Sequence, residues 1–485
     1  MSDQAAGQGA PIIRRAGLVL GPLVCALVVL VPSPLHHLDA FGHRPALAAG
    51  FSLLMAIWWF TEAIPIHWTA LIPLGAWPAL DVFGTGALGS AGKTTGEFLN
   101  AYIFLFAGGM AIGAAMEHWN LHRRIALHIM LRIGASPRRL LLGMLVATAA
   151  ISLWISNTAT AVMMMPIGLA VVTQLEARAG RKLGTYATAL MLAVAYAANV
   201  GGIGTKIGSA TNSIFVGYLA AKLKYDMSFL EYTAVALPFV ALFLPLIWLV
   251  LWRLGARDAP TDPAGREVLV AELHALGPMS ARERQVAQVF LLAAALWVLG
   301  DPLRAALEAS LPFKFEAKHY EAAVALFGAG LLAVRGALPV AALKRIPVPA
   351  LLLLGGSFAM AAGIEGSGLS KWLGLQLEPV RALPLAAQTL IAVGATVGLS
   401  AVASNTATVN LMMALLPGRL PLLSAVGMAS SCDFALPAGT PPNAIVFGSG
   451  RIRLPTMMRV GVLLDVAAML VLTIYGLTWL PLLLR

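Results

Sequence analysis

Apolar residues run along this chain in long blocks rather than in alternation. Such blocks stand near 16–32, 45–61, 66–84, 99–118, 231–252, 286–304, 320–334, 349–370 and 457–483. A helix needs about 20 apolar residues to cross a bilayer, so each block predicts one span. Four further segments are apolar but interrupted. The segment 140–175 is too long for one crossing and is broken at its middle by Ser156-Asn157-Thr158 and Pro166. It predicts a hairpin that enters and returns, and 386–417, with Ser404-Asn405-Thr406, predicts a second. The segment 186–221 is a span broken at Gly201-Gly202, Gly204 and Gly208-Ser209. The segment 421–449 is a span broken at Pro437-Ala438-Gly439-Thr440-Pro441-Pro442. The pattern predicts an all-α polytopic membrane protein of about eleven transmembrane helices plus two re-entrant helical hairpins.

The polar interruptions repeat. Ser156-Asn157-Thr158-Ala159-Thr160 returns 248 positions later as Ser404-Asn405-Thr406-Ala407-Thr408. The same ungapped offset pairs Gly108 with Gly356, Glu117 with Glu365, Leu121 with Leu369, and Ser152 with Ser400. The mated spans near 99–118 and 349–370 lie five crossings apart, so the two copies face opposite ways. The hairpin tips then meet near the midplane, which is the arrangement of a secondary transporter with one central site. The division that follows is 1–98, mainly scaffold; 99–252, the first repeat core; 253–285, a cytoplasmic connecting loop; and 286–485, the second repeat.

Composition sharpens this. The 485 residues are 59% hydrophobic and 11% charged, against about 25% charged in soluble domains. The net charge of +11 does not point to nucleic acid, because the basic residues are dispersed between spans. With the N-terminus inside, twenty-one of the 33 Lys and Arg fall in cytoplasmic segments, eleven fall outside, and Lys206 is left within the membrane. The positive-inside bias supports that orientation. The stretch after Arg14-Arg15 has no clear small-residue cleavage site and reads as an uncleaved first span. Cys25 and Cys432 sit in apolar segments, which indicates no disulfide framework. The compact, loop-poor design points to a bacterial inner membrane.

A hairpin tip inside the membrane leaves backbone groups unpaired, tolerated only where they are buried in protein or line a watery cavity. Asn adds a carboxamide whose oxygen ligates a hard cation and whose NH2 donates to a carboxylate. Gly208 and Gly439 let carbonyls approach an ion. Helix N-termini just past each break present partial positive charge to an anion. One Ser-Asn-Thr in an apolar helix reads as glue between helices. Two symmetric copies, each followed by a Gly/Pro break in the next span, read as a site for an anion and a cation such as Na⁺.

The motifs Trp58–Pro65 (WWFTEAIP), Ile103–Arg124, the two Ser-Asn-Thr copies and Leu436–Gly450 (LPAGTPPNAIVFGSG) resemble the divalent anion:sodium symporter family, of the sodium/dicarboxylate cotransporter type, over nearly the whole chain. The resemblance implies a homodimer in the lipid bilayer with a scaffold and a moving transport body, working as an elevator. It implies one sodium site at Ser152, Ser156, Asn157 and Gly208. A mirror site is implied at Ser400, Ala403, Asn405 and Gly439, the Ala and Gly acting through backbone oxygen. It implies that a small dianion lies between Asn157-Thr158 and Asn405-Thr406, with Ser209 and Thr440-Pro441 closing around it. Sodium is then transported cargo, and no organic cofactor is implied.

Two departures stand out. Thr440-Pro441-Pro442-Asn443 is intact, but the first half reads Ser209-Ala210-Thr211-Asn212 and lacks the Pro pair. Lys206 lies two residues before Gly208, and an intramembrane Lys is a functional candidate. It has three readings: pairing with Asp433 or another carboxylate, reaching a cavity to attract the anion, or replacing one Na⁺ in a sodium-independent exchanger. Asp433 is the other unusual charge, and both are candidates for coupling or charge tuning. Glu117 and Glu365 read as helix-end ion pairs, His118, His122 and His128 as surface residues, and Trp58, Trp59 and Trp68 as interfacial belts. No His-Glu-x-x-His motif is present, and Gly448-Ser449-Gly450 has no activating partner, so an enzyme is not expected. The two occluding hairpins argue for a carrier over a channel. The reading is sodium-coupled symport of C4-dicarboxylates, with sulfate, citrate or exchange as alternatives.

Overall fold

The computed structural model describes residues 11–484 except 39, 40, 261–264, 311, 313, 377 and 417. The described residues are helical apart from turns and one isolated bridge, Leu38 with Gly42. Among the described residues, eight helices are long and apolar enough to cross a membrane, nine if Ala281–Val298 and Gly300–Ser310, bent by 72°, count as one. Of the other predicted crossings, 45–61 and 320–334 are single helices, Arg44–Thr61 and Ala317–Val334, and the rest are composite. The block 66–84 is one of these: it forms two short helices, Ile66–Thr69 and Ile72–Ala79, not one rod, with Pro73 opening the second.

The segments 140–175 and 386–417 both fold as hairpins. The first has arms Pro137–Ser152 and Asn157–Ala179, the second Leu385–Val402 and Asn405–Leu415. Each returning arm starts the same way. Ser156 Oγ accepts from Ala159 N at 3.3 Å, and Ser404 Oγ accepts from Ala407 N at 3.2 Å, so the repeated serines are N-caps. The Asn405–Leu415 arm has 11 residues. At about 1.5 Å per residue it covers roughly half of the hydrocarbon core, so it turns back inside the membrane.

The first broken span is Gly184–Ile203 followed by Ala210–Leu223, and the second is Leu420–Ala429 followed by Pro441–Phe447. The 18-residue apolar window in Gly184–Ile203 is wholly buried, making it the central helix of the molecule. Repeat symmetry extends to packing. A Cβ on Gly108 would lie 2.7 Å from the Ala325 backbone, and one on its mate Gly356 would lie 2.2 Å from Ala70 O. Small residues let these helices approach closely.

The segment 253–285 is more than a connecting loop. It carries the helix Gly265–Ala275, held to the first repeat by Arg123–Glu272 and Arg178–Glu267 ion pairs. Two surface expectations are corrected by burial. Trp59 is 1% exposed and donates to Ile66 O at 3.0 Å. His122 is buried against Met116 O, and burial pushes its pKa down to about 4, so it is neutral at physiological pH. Trp68 is exposed, as an interfacial residue is.

Candidate functional site

The two hairpin tips and the two breaks meet at a cavity of about 570 Å³. Asn157, Thr158, Ser209, Asn405, Thr406, Thr440 and Pro441 all line it. Ser156, Gly208 and Gly439 line it too. Ser152, Ser400 and Ala403 lie behind the wall and are buried. Four helices begin at this wall, at Asn157, Ala210, Asn405 and Pro441. At the rim, Arg345 Nη1 stands 4.0 Å from Glu117 Oε2.

Behind the first tip, Ser152 Oγ lies 2.8 Å from Asn157 Oδ1 and 2.7 Å from Ala198 O. A Cβ on Gly208 would fall 2.5 Å from Gly202 O and 3.0 Å from Ser152 O. Only glycine fits, and the space beside it faces neutral oxygens. Such a donor set suits a hard cation. Behind the second tip, Ser400 Oγ lies 2.7 Å from Ser430 O and 3.3 Å from Asn405 Oδ1. A Cβ on Gly439 would fall 2.5 Å from Asp433 Oδ2 and 3.4 Å from Ala401 O. Ala403 forms the turn in extended backbone, φ −132°.

The breaks are held open by paired carboxamides that sequence reading left without a role. Asn212 Nδ2 donates to Gly202 O and Thr205 O, both at 2.7 Å. Asn443 Nδ2 donates to Asp433 O and Leu436 O, both at 3.0 Å. Asn199 was also missed. It lines the cavity and donates to Thr440 Oγ1 at 3.0 Å, joining the first broken span to the second. Its one legible signal was a carboxamide in an apolar helix just before Gly201-Gly202.

Lys206 does not reach the cavity and does not pair with Asp433. Its Nζ is 2.7 Å from Glu321 Oε2, donates to Met227 O, and lies 5.8 Å above the Tyr102 ring. It is 0% exposed. Glu321 also accepts from Phe229 N, at the start of Phe229–Gly255. Asp433 instead faces the second tip, its Oδ1 accepting from Asn405 Nδ2 at 3.3 Å. Glu321 escaped sequence reading because no spacing ties it to residue 206.

Comparison with known proteins gives a consistent picture. The family described as "Sodium:sulfate symporter transmembrane region" matches residues 14–485. The sodium-dependent dicarboxylate transporter SdcS of Staphylococcus saprophyticus is 33% identical, covering 95% of this chain and 90% of its own. SdcS of Staphylococcus aureus is 34% identical over the same shares. Among solved structures, the YdaH transporter of Alcanivorax borkumensis aligns with TM-score 0.54 at 15% identity, covering 97% of each chain. MtrF of Neisseria gonorrhoeae aligns with TM-score 0.52 at 11% identity, covering 98% of this chain and 96% of its own. Those two likenesses show the transporter fold alone. With a family match from residue 14 to the end and relatives a third identical along nearly the whole length, this chain belongs to the sodium:sulfate, or divalent anion:sodium, symporter family.

Proposed function

We propose that the protein is a secondary active transporter that couples sodium entry to uptake of C4-dicarboxylates such as succinate, malate and fumarate. The observation that carries this is one cavity walled by both Ser-Asn-Thr tips and both breaks. Its about 570 Å³ falls in the usual range for small-molecule sites, about 300–1,000 Å³. The wall offers hydroxyls, carboxamides and the N-termini of Asn157–Ala179, Ala210–Leu223 and Asn405–Leu415. Donors and positive helix ends suit a dianion. In this reading Asn157-Thr158, Asn405-Thr406, Ser209 and Thr440-Pro441 hold the anion. One sodium lies with Ser152, Ser156, Asn157 and Gly208, and another with Ser400, Ala403, Asn405 and Gly439. The names of the staphylococcal relatives, sodium-dependent dicarboxylate transporters, support this substrate class over sulfate.

The hairpins and broken spans form the moving body of an elevator, and the N-terminal spans with the 317–334 helix form its scaffold, in a homodimer. The distribution of Lys and Arg supports a cytoplasmic N-terminus, and the compact, loop-poor design supports a bacterial cytoplasmic membrane. Lys206 does not stand in for sodium, since its ammonium is engaged by Glu321 and Met227. The test is labelled succinate uptake into proteoliposomes, with or without an inward sodium gradient and internal succinate. Accumulation that requires the gradient is expected. Uptake that ignores sodium and needs internal succinate would overturn symport in favour of exchange.

A further inference from the structure

The two cation-type clusters occupy mirrored positions but differ in charge. The breaks are related by an offset of 231, which sets Gly208 against Gly439 and Asn212 against Asn443. The same offset sets Gly202 against Asp433. The hydrogen bonds confirm the match. Asn212 holds the carbonyls of 202 and 205, and Asn443 holds those of 433 and 436.

At the first position no side chain fits, because a Cβ on Gly202 would fall 2.1 Å from Asn157 Oδ1. At the second position the chain carries a carboxylate. Asp433 is 1% exposed. Its Oδ1 accepts from Asn405 Nδ2, whereas its Oδ2 has no hydrogen-bond partner among the described residues. That oxygen is aimed at Gly439, beside Ala401 O. Among the described residues no Lys, Arg or His forms an ion pair with it. Nearby, Asp465 adds a second acid, which accepts from Phe434 N at 2.8 Å. A buried carboxylate is costly as an anion unless paired or bound to a cation, and otherwise takes up a proton.

We propose that Asp433 is an anionic ligand of the second cation site, so that the two sodium sites are unlike: the first built of neutral oxygens, the second carrying its own negative charge and holding sodium more tightly. This rests on the sodium-symport reading of the cavity. At the first site a cation depends on carbonyls, a hydroxyl and a carboxamide for its stabilisation. At the second, the carboxylate supplies a full opposing charge in a water-poor setting, where such interactions are strong.

The test is ²²Na⁺ binding to the purified full-length protein in nanodiscs without dicarboxylate, alongside sodium-dependent thermal stabilisation. The wild type is expected to show a tight and a weak phase. Asp433→Asn should raise the half-saturation of the tight phase by about tenfold or more, roughly 1.4 kcal/mol per tenfold, and leave the weak phase in place. Ser152→Ala should shift the weak phase alone. Gly439→Ala, whose Cβ would crowd Asp433 Oδ2, should reproduce the Asp433→Asn loss and serves if that variant does not fold. An Asp433→Asn or Gly439→Ala isotherm superimposable on wild type would overturn the proposal while the Ser152→Ala effect left sodium binding standing. No sodium binding in the wild type, or binding untouched by all three substitutions, would sink the sodium-symport reading itself.

Discussion

At Thr440 one hydroxyl serves both halves of the site. Its oxygen accepts from Asn443 N at 3.3 Å and from Asn199 Nδ2 at 3.0 Å, and the residue faces the cavity. Thr440→Ala is expected to raise the succinate KM about tenfold, near 1.4 kcal/mol, with a smaller change in sodium half-saturation. Thr440→Ser should recover most of the loss, and an unchanged KM would remove Thr440 from the anion site. Asn405→Ala is expected to abolish uptake while the protein stays folded on gel filtration, since it deletes both a cation oxygen and an anion donor. Polar residues at this scale were legible because they interrupt apolar helices, where each needs a reason to be present. Their partners were not. Which carboxylate meets Lys206 is a fact of packing between segments 115 residues apart, and Glu321 looked like any acid near a helix start.

The hairpins and breaks are the elements that make the cavity, and they depend on satisfying backbone groups away from water. Asn443 pairs two carbonyls that have lost their helical partners. Asn443→Ala leaves both unpaired, at about 1–3 kcal/mol each, so a lower melting temperature of the purified protein is expected together with lost uptake. An unshifted melt would mean that water replaces the carboxamide. In the first half, Gly208→Ala places a methyl 2.5 Å from Gly202 O and is expected to raise the sodium half-saturation at least several-fold in uptake assays. Element existence was readable from the blocks, and the tips from their repeat. What could not be read was continuity. The 66–84 block is mostly apolar yet folds as two short helices. The charged 253–285 stretch looked like loop yet holds a helix through ion pairs to the first repeat.

Over the whole molecule, the reading requires that the cavity open to one face at a time. A cysteine placed by Ser209→Cys is a clean probe, since native Cys25 and Cys432 are buried. Labelling by an impermeant maleimide is expected from one face of sealed vesicles, and sodium with succinate should protect it. Brisk labelling from both faces, unaffected by substrate, would favour a channel.

Lys206 and Glu321 sit on opposite sides of that proposed motion, one in the broken span and the other on the 317–334 helix. A slide of the broken span past this helix cannot preserve a 2.7 Å contact unless Glu321 travels with it. The pair is then a latch that holds the conformation seen here and must be released once per cycle. Removing one partner of a buried pair costs about 3–5 kcal/mol, enough to shift a two-state balance by a hundredfold or more. Glu321→Gln is therefore expected to move the Ser209→Cys labelling toward the opposite face. A protein that keeps its labelling face after this change would show that Glu321 rides with the cargo.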